Sequence, residues 1–239
     1  MERIDLYLEN IKLAGALFKP AAGGKNRGAV LFIHGWKSKQ DRFYQLAQNL
    51  SDKGFTCLTF DLPGHGESEG NPDSLSIAIY FKAVTVAYDF LAAQSKMVSI
   101  VGSSFGSYLA AILISKRPIK NLILRTPSNY PDEEFSRVGK IRTATDYPDV
   151  VEWRKQKFDY SATESLRSVH QFNGHILIVE SEKDEMVPHQ TVENYLNAVP
   201  DKTKLTYYLM KDAPHSLTGY PAFIQEFNKL ATDWLSKHS

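Results

Sequence analysis

Apolar and polar residues alternate from Ile4 to Phe18 with a break at Glu9-Asn10, a period of two that predicts an opening antiparallel hairpin. The pattern then changes. Short apolar runs recur, AVLFIHG, TCLTFD, VSIVGS, NLILRT and HILIVES, each β-branched in character and ended by turn residues. Strands without alternation are buried on both faces, as in parallel sheets covered by helices. Stretches of helical spacing lie between them, roughly 41–53, 76–94, 105–116 and 189–199. KLTYYLMK predicts a last strand, and YPAFIQEFNKLATDWLSK a closing amphipathic helix. This alternation predicts an α/β fold: a mostly parallel, doubly wound sheet with helices on both faces, preceded by the hairpin.

One segment departs from the rhythm. Residues 126–171 contain no strand-like run, carry more charge, and interleave it with Tyr130, Phe135, Tyr147, Trp153, Phe158 and Tyr160. A connection this long is functional or has helices of its own, so a small inserted cap is expected there. No repeat, low-complexity tract or linker divides the chain, and 1–239 is expected to be a single domain.

Charge narrows the partners. With 28 basic and 27 acidic residues and no basic stripe, nothing favours nucleic acid or stable membrane association. A small-molecule ligand is the expected partner. The single cysteine, Cys57, falls in the strand-like FTCLTFD and is expected to be a buried apolar side chain. The N-terminal MERIDLYLENIKLAG mixes acidic residues into its apolar ones, so neither a signal peptide nor a spanning helix is expected, and a cytoplasmic location follows.

The candidate chemistry lies in SIVGSSFGSYLAA. Ligands of open α/β sheets bind at the carboxyl ends of strands, and this stretch places a serine there. Gly102 and Gly106 permit close approach of strand and helix, which holds the residue midway, Ser104, on a tight corner with its side chain exposed. Ser103 occupies the variable position, and Ser107 falls inside the helix. A serine hydroxyl is unreactive near neutrality without a base and an anion-stabilising site. A Gly-Ser turn can also close a strand–helix corner with no chemistry at all, so the rest of the chain decides.

Gly-x-Ser-x-Gly in a strand–turn–helix setting resembles the nucleophile elbow of the α/β-hydrolases, and further stretches extend the resemblance over nearly the whole chain from Ala29 onward. LFIHGW resembles the family's His-Gly turn after the third strand. By matching position, the backbone N–H groups of Trp36 and Phe105 are the implied oxyanion donors, His34 is implied to be structural, and Trp36 to wall the pocket. FDLPGHGESEG resembles the Gly-His-Gly-x-Ser loop after the fourth strand, with His65 a brace. In ILIVESEKDEMVP the implied acid is Asp184, ahead of the Val-Pro that starts a helix; Glu180, Glu182 and Glu185 miss the motif position, and Ser181 replaces a frequent glycine. In LMKDAPHSL the implied base is His215, whereas His170, His175, His189 and His238 have no comparable setting. The order Ser104, Asp184, His215 is the family's own.

The HGW turn, the GHGESEG loop and the cap together resemble the small bacterial carboxylesterases, including the feruloyl or cinnamoyl type. The resemblance implies a serine hydrolase cleaving carboxylic esters of small acyl or aryl groups through an acyl-enzyme, with no cofactor and no metal. A thioesterase or acyltransferase with the same triad, or a catalytically silent ligand-binding protein, are the alternatives. Trp36, Arg125 and Trp153 are candidate substrate contacts. Cap aromatics either face the pocket or pack the cap onto the sheet, and Arg125, at a strand end, either forms a structural ion pair or recognises a carboxylate or phosphate.

Overall fold

The computed structural model describes residues 1–22, 26–137, 139, 141–142, 144 and 146–239. Alternation in the opening segment yields β1 (Glu2–Leu8) and β2 (Ile11–Phe18), paired antiparallel from Glu2↔Leu17 to Leu8↔Ile11 around the Glu9-Asn10 turn. Glu9 turns the chain with φ 53°. The apolar runs become β3 (Ala29–Ile33), β4 (Thr56–Phe60), β5 (Val98–Ser103), β6 (Asn121–Arg125), β7 (His175–Lys183) and β8 (Leu205–Pro214). They form one sheet in the order β1-β2-β4-β3-β5-β6-β7-β8; β2 meets β4 antiparallel and every later pair is parallel.

Side chains of the central strands divide between two cores. Leu31, Ile33, Ile100, Leu122, Leu124, Ile176 and Ile178 face one side. There they meet α2 (Ile77–Ala92), α3 (Phe105–Leu113) and α7 (His189–Ala198). Val30, Phe32, Val101, Ile123, Leu177 and Val179 face the other, against α1 (Tyr44–Asp52) and α8 (Pro221–Lys237). This is why these strands show no alternation in sequence: both faces leave water. Each fully buried Leu or Ile contributes roughly 1.5–3 kcal/mol.

The excursion between β6 and β7 holds α4 (Glu133–Ser136), α5 (Pro148–Arg154) and α6 (Glu164–Gln171). Residues 138, 140, 143 and 145 of the expected cap lie outside the described residues. Thr163 caps α6 by accepting from the Leu166 N–H, and Leu166 and Val169 are buried against the main core. Packed on α3 and α7, α6 is a crossover helix of the main layer. Among the described residues no helix is long and apolar enough to cross a membrane.

The chain leaves β3 for β4 on one side and reaches β5 on the other. The carboxyl ends of β3 and β5 therefore flank a topological switch point, the crevice where open α/β sheets bind ligands.

Candidate active site

Ser104 closes the carboxyl end of β5 with φ 53° and ψ −115°, a conformation that non-glycine residues avoid and that survives only where its surroundings enforce it. Enforcement comes from close packing. A Cβ on Gly106 would stand 2.1 Å from the Ile33 carbonyl oxygen, and one on Gly102 would stand 2.6 Å from the Ser107 Cα. The Ser104 N–H donates to the Arg125 carbonyl at 2.9 Å, and its own carbonyl accepts from Ser107 N–H at 2.9 Å, so both sides of the corner are tied. Phe105 is the first residue of α3, where backbone N–H groups have no partner within the helix.

The turn after β3 lies directly over this corner. A Cβ on Gly35 would be 3.2 Å from both the Ser103 carbonyl oxygen and the Ser104 Cβ. His34 holds the turn: its Nδ1 donates to the Gly35 carbonyl at 2.8 Å, and its Nε2 accepts from the Leu62 N–H at 2.9 Å. Burial pushes its pKa down to about 3, so the ring is neutral and structural. The Trp36 ring packs edge-on against Phe105 and Tyr80 and at 4.8 Å from His65. His65, its pKa lowered by burial, donates from Nδ1 to the Pro63 carbonyl. Buried Asp61 organises the same loop by accepting from the N–H groups of Gln40 and Glu67.

The structure brings Asp184 and His215 together at the ends of β7 and β8. His215 Nδ1 lies 2.7 Å from Asp184 Oδ2 and 2.9 Å from Oδ1. Asp184 Oδ1 also accepts from the N–H groups of Met186 and Val187, so the carboxylate is fixed before it meets the ring. A Nδ1–H held by a carboxylate leaves Nε2 as the free acceptor. Two of the competing acids are engaged elsewhere: buried Glu180 accepts from His189 Nδ1 and the Tyr207 hydroxyl, and Glu182 accepts from the Asp212 N–H.

Ser104 and His215 line one cavity of about 210 Å³, walled by Trp36, Leu217, Ile224 and Phe227. The Ser104 hydroxyl is hydrogen-bonded to Ser128 Oγ at 3.2 Å and, among the described residues, not to His215. Ser128 is the site residue that sequence reasoning missed. Its one signal is position, in the polar turn TPSN that follows β6 next to the elbow strand.

Arg125 also lines the cavity, and no ion pair forms there among the described residues. Its buried guanidinium donates to Ser103 Oγ, Ser181 Oγ and the His215 carbonyl, the last at 2.6 Å, so one side chain joins the ends of β5 and β7 and the loop carrying His215. Burial, with a smaller effect of Arg42, lowers its pKa to about 10, which leaves it charged near neutrality. Trp153 is not among the residues lining the cavity and packs on Phe158 at 4.6 Å between ring centroids. The other aromatics of the excursion also pack within the protein: Tyr130 on Phe105 and Tyr108, Phe135 on Phe81, Tyr147 beneath Arg142, Tyr160 on His170. Among the described residues no three His, Cys, Asp or Glu side chains gather to hold a metal ion.

Comparison with known proteins agrees with this architecture. The chain is 27% identical over 197 residues to an uncharacterised protein of Mycobacterium tuberculosis, covering 81% of this chain and 65%, just under two thirds, of that protein. It is 21% identical to a carboxylesterase of Bacillus subtilis over 80% of this chain and 85% of that one. The ferulic acid-bound structure of Est1E from Butyrivibrio proteoclasticus superposes with a TM-score of 0.75 at 16% identity, over 98% of each chain. Residues 24–163, which contain the elbow but neither Asp184 nor His215, match the family model described as serine aminopeptidase, S33. With its eight-stranded sheet, its elbow and this match, the chain belongs to the serine aminopeptidase S33 family of α/β-hydrolases.

Proposed function

We propose that the protein hydrolyses carboxylic esters of small acyl or aryl groups through an acyl-enzyme formed on Ser104. In this reading Ser104 Oγ attacks the ester carbonyl, and His215 Nε2 takes its proton and later returns it to the leaving alcohol. Asp184 holds the imidazole in the required tautomer and stabilises the imidazolium. The backbone N–H groups of Trp36 and Phe105 receive the oxyanion, each such donor being worth roughly 10² to 10³ in rate. Water then attacks the acyl-enzyme by the same route and frees the acid.

The observation that carries the proposal is the Asp184–His215 pair facing the cavity that also holds the strained Ser104. To react, Ser104 Oγ must leave Ser128 for His215, a χ1 rotation between staggered wells. The size of the cavity, below the roughly 300 Å³ at which drug-sized pockets begin, favours short acyl groups over long chains. The carboxylesterase of Bacillus subtilis and the esterase neighbour support the ester class.

A fluorophosphonate probe tests the nucleophile. Wild type and Ser103→Ala are expected to be labelled and Ser104→Ala is not; equal loss in both variants would refute the assignment. A panel of p-nitrophenyl esters of rising acyl length tests the substrate class. Turnover is expected to fall beyond short chains, and complete inertness would favour a silent ligand-binding protein.

A further inference from the structure

The cavity beside Ser104 carries positive charge that nothing in it neutralises. Among the described residues lining it none is acidic, whereas Lys37, Arg42 and Arg125 are basic. Lys37 is partly balanced by Asp146, whose carboxylate lies 3.7 Å from its Nζ. Arg125 gives its hydrogen bonds to neutral oxygens only, and the acid whose charge reaches it, Asp184, is already shared with the His215 ring.

The Arg42 side chain is exposed and makes no hydrogen bond or ion pair with the described residues. It nevertheless projects from a fixed base, because its neighbours in the tight turn Gln40–Phe43 are anchored. Gln40 is buried and bonded to Asp61 through both N and Nε2, and Phe43 is buried against Phe32. A more open depression that shares Trp36, Lys37, Ser38 and Arg42 with the cavity contributes Asp73, and Lys39 there is paired with Asp41.

An exposed arginine without a partner, lining a cavity that among the described residues holds two further cations and no acid, has a physical use. Charges of one sign in a low-dielectric cleft attract the opposite charge, and the planar guanidinium matches the paired oxygens of a carboxylate or phosphate. A neutral acyl chain gains nothing from Arg42. An anion gains a charge-assisted hydrogen bond from it and the field of Arg125 behind it. The volume, about seven water molecules' share of the liquid, limits the bound part to a short chain.

We infer that this cavity binds the anionic end of a small substrate, an ester that carries a free carboxylate or phosphate, with Arg42 as the charge-recognising side chain and Arg125 as the buried charge behind it. The inference rests on the hydrolase reading above for the ester, and on the cavity alone for the anion.

The test compares two pairs of esters, each a charged and a neutral member and the first pair isosteric, by pH-stat at low ionic strength. Monoethyl glutarate against ethyl 5-methylhexanoate places the charge on the acyl side; a 1-acetylglycerol 3-phosphate against 1-acetylglycerol places it on the leaving group. The anionic member of one pair is expected to show a kcat/KM at least about tenfold higher, the equivalent of one charge-assisted hydrogen bond. The pair that shows it identifies the side. Arg42→Gln should bring the ratio down to about one, and Arg42→Lys should keep part of it. A ratio of one or less in both pairs, with the neutral esters turned over, overturns the inference and leaves the hydrolase reading standing. Titration of glutarate into wild type and Arg42→Gln by calorimetry decides the case if no ester is cleaved: binding that the substitution abolishes supports the anion site, and no binding, or equal binding, overturns it.

Discussion

Acid should unfold this protein through His34, and the loss should be separable from every other titration. The ring is buried beneath the turn that covers Ser104, donates to Gly35, accepts from Leu62, and has its pKa pushed from 6.5 to about 3 by burial. A histidine whose folded pKa is lowered binds a proton more readily when unfolded. Its contribution is complete above pH 6.5 and is lost as the pH falls from 6.5 towards 3. The full shift corresponds to about 5 kcal/mol, and by pH 4.5 about 3 kcal/mol should be gone, a large share of the roughly 5–15 kcal/mol that holds a domain together. His34→Gln removes the titrating ring but offers an amide oxygen for the Leu62 N–H. Urea unfolding of both proteins at pH 7 and pH 4.5 gives the assay. The variant should be the less stable at pH 7, and the gap should shrink by about 3 kcal/mol at pH 4.5. A gap unchanged between the two pH values would refute the claim that His34 folds uncharged.

Three further outcomes follow from the geometry. Gly106→Ala would place a methyl group 2.1 Å from the Ile33 carbonyl oxygen, so the elbow must shift against β3. A loss of about 1–3 kcal/mol or more in thermal unfolding is expected, with esterase rates lower by on the order of 10²; wild-type melting would contradict the packing. Arg154→Met removes the donors to the buried carbonyl of Asn129 and the half-buried one of Met186 and should cost roughly 2–4 kcal/mol in urea unfolding, whereas a neutral result would show those contacts to be dispensable. Asp184→Asn keeps a similar shape but disturbs the His215 tautomer, and ester turnover should fall on the order of 10⁴-fold; a fall of less than about tenfold would exclude Asp184 as the orienting group.

Much of this was legible in the sequence, because the signals are local. The hairpin follows from alternation around Glu9-Asn10, and the buried strands follow from apolar runs that fill two cores at once. Asp184 and His215 were implied by the resemblance of ILIVESEKDEMVP and LMKDAPHSL to the family's loops, and the structure sets the two side chains in contact. What escaped depends on contacts between distant segments. Ser128 touches Ser104 across 24 positions, and its place in the polar turn after β6 does not say which residue it will meet. Arg125 sits at a strand end where an ion pair is the ordinary expectation, yet neutral oxygens take up its donors. The first helix, expected from about 41, begins at Tyr44, since Gln40 is drawn to Asp61 and the chain tightens into a shorter turn first. The aromatics of 126–171 carry no sign of which neighbours they will meet, and the structure sets them against one another and the core.

The floor of the site, residues 125–130, is wholly buried and depends on the excursion above it. Asn129 accepts from the hydroxyls of Thr163 and Ser165 and gives its carbonyl to Arg154, while Ser128 gives its carbonyl to the Tyr195 hydroxyl. Lifting α5 would part Arg154 from the carbonyls of buried Asn129 and half-buried Met186. The segment that carries Arg154 is thus a keystone of that floor. The residues that wall the cavity at Ser104, Trp36, Leu217, Ile224 and Phe227 among them, all come from outside this segment.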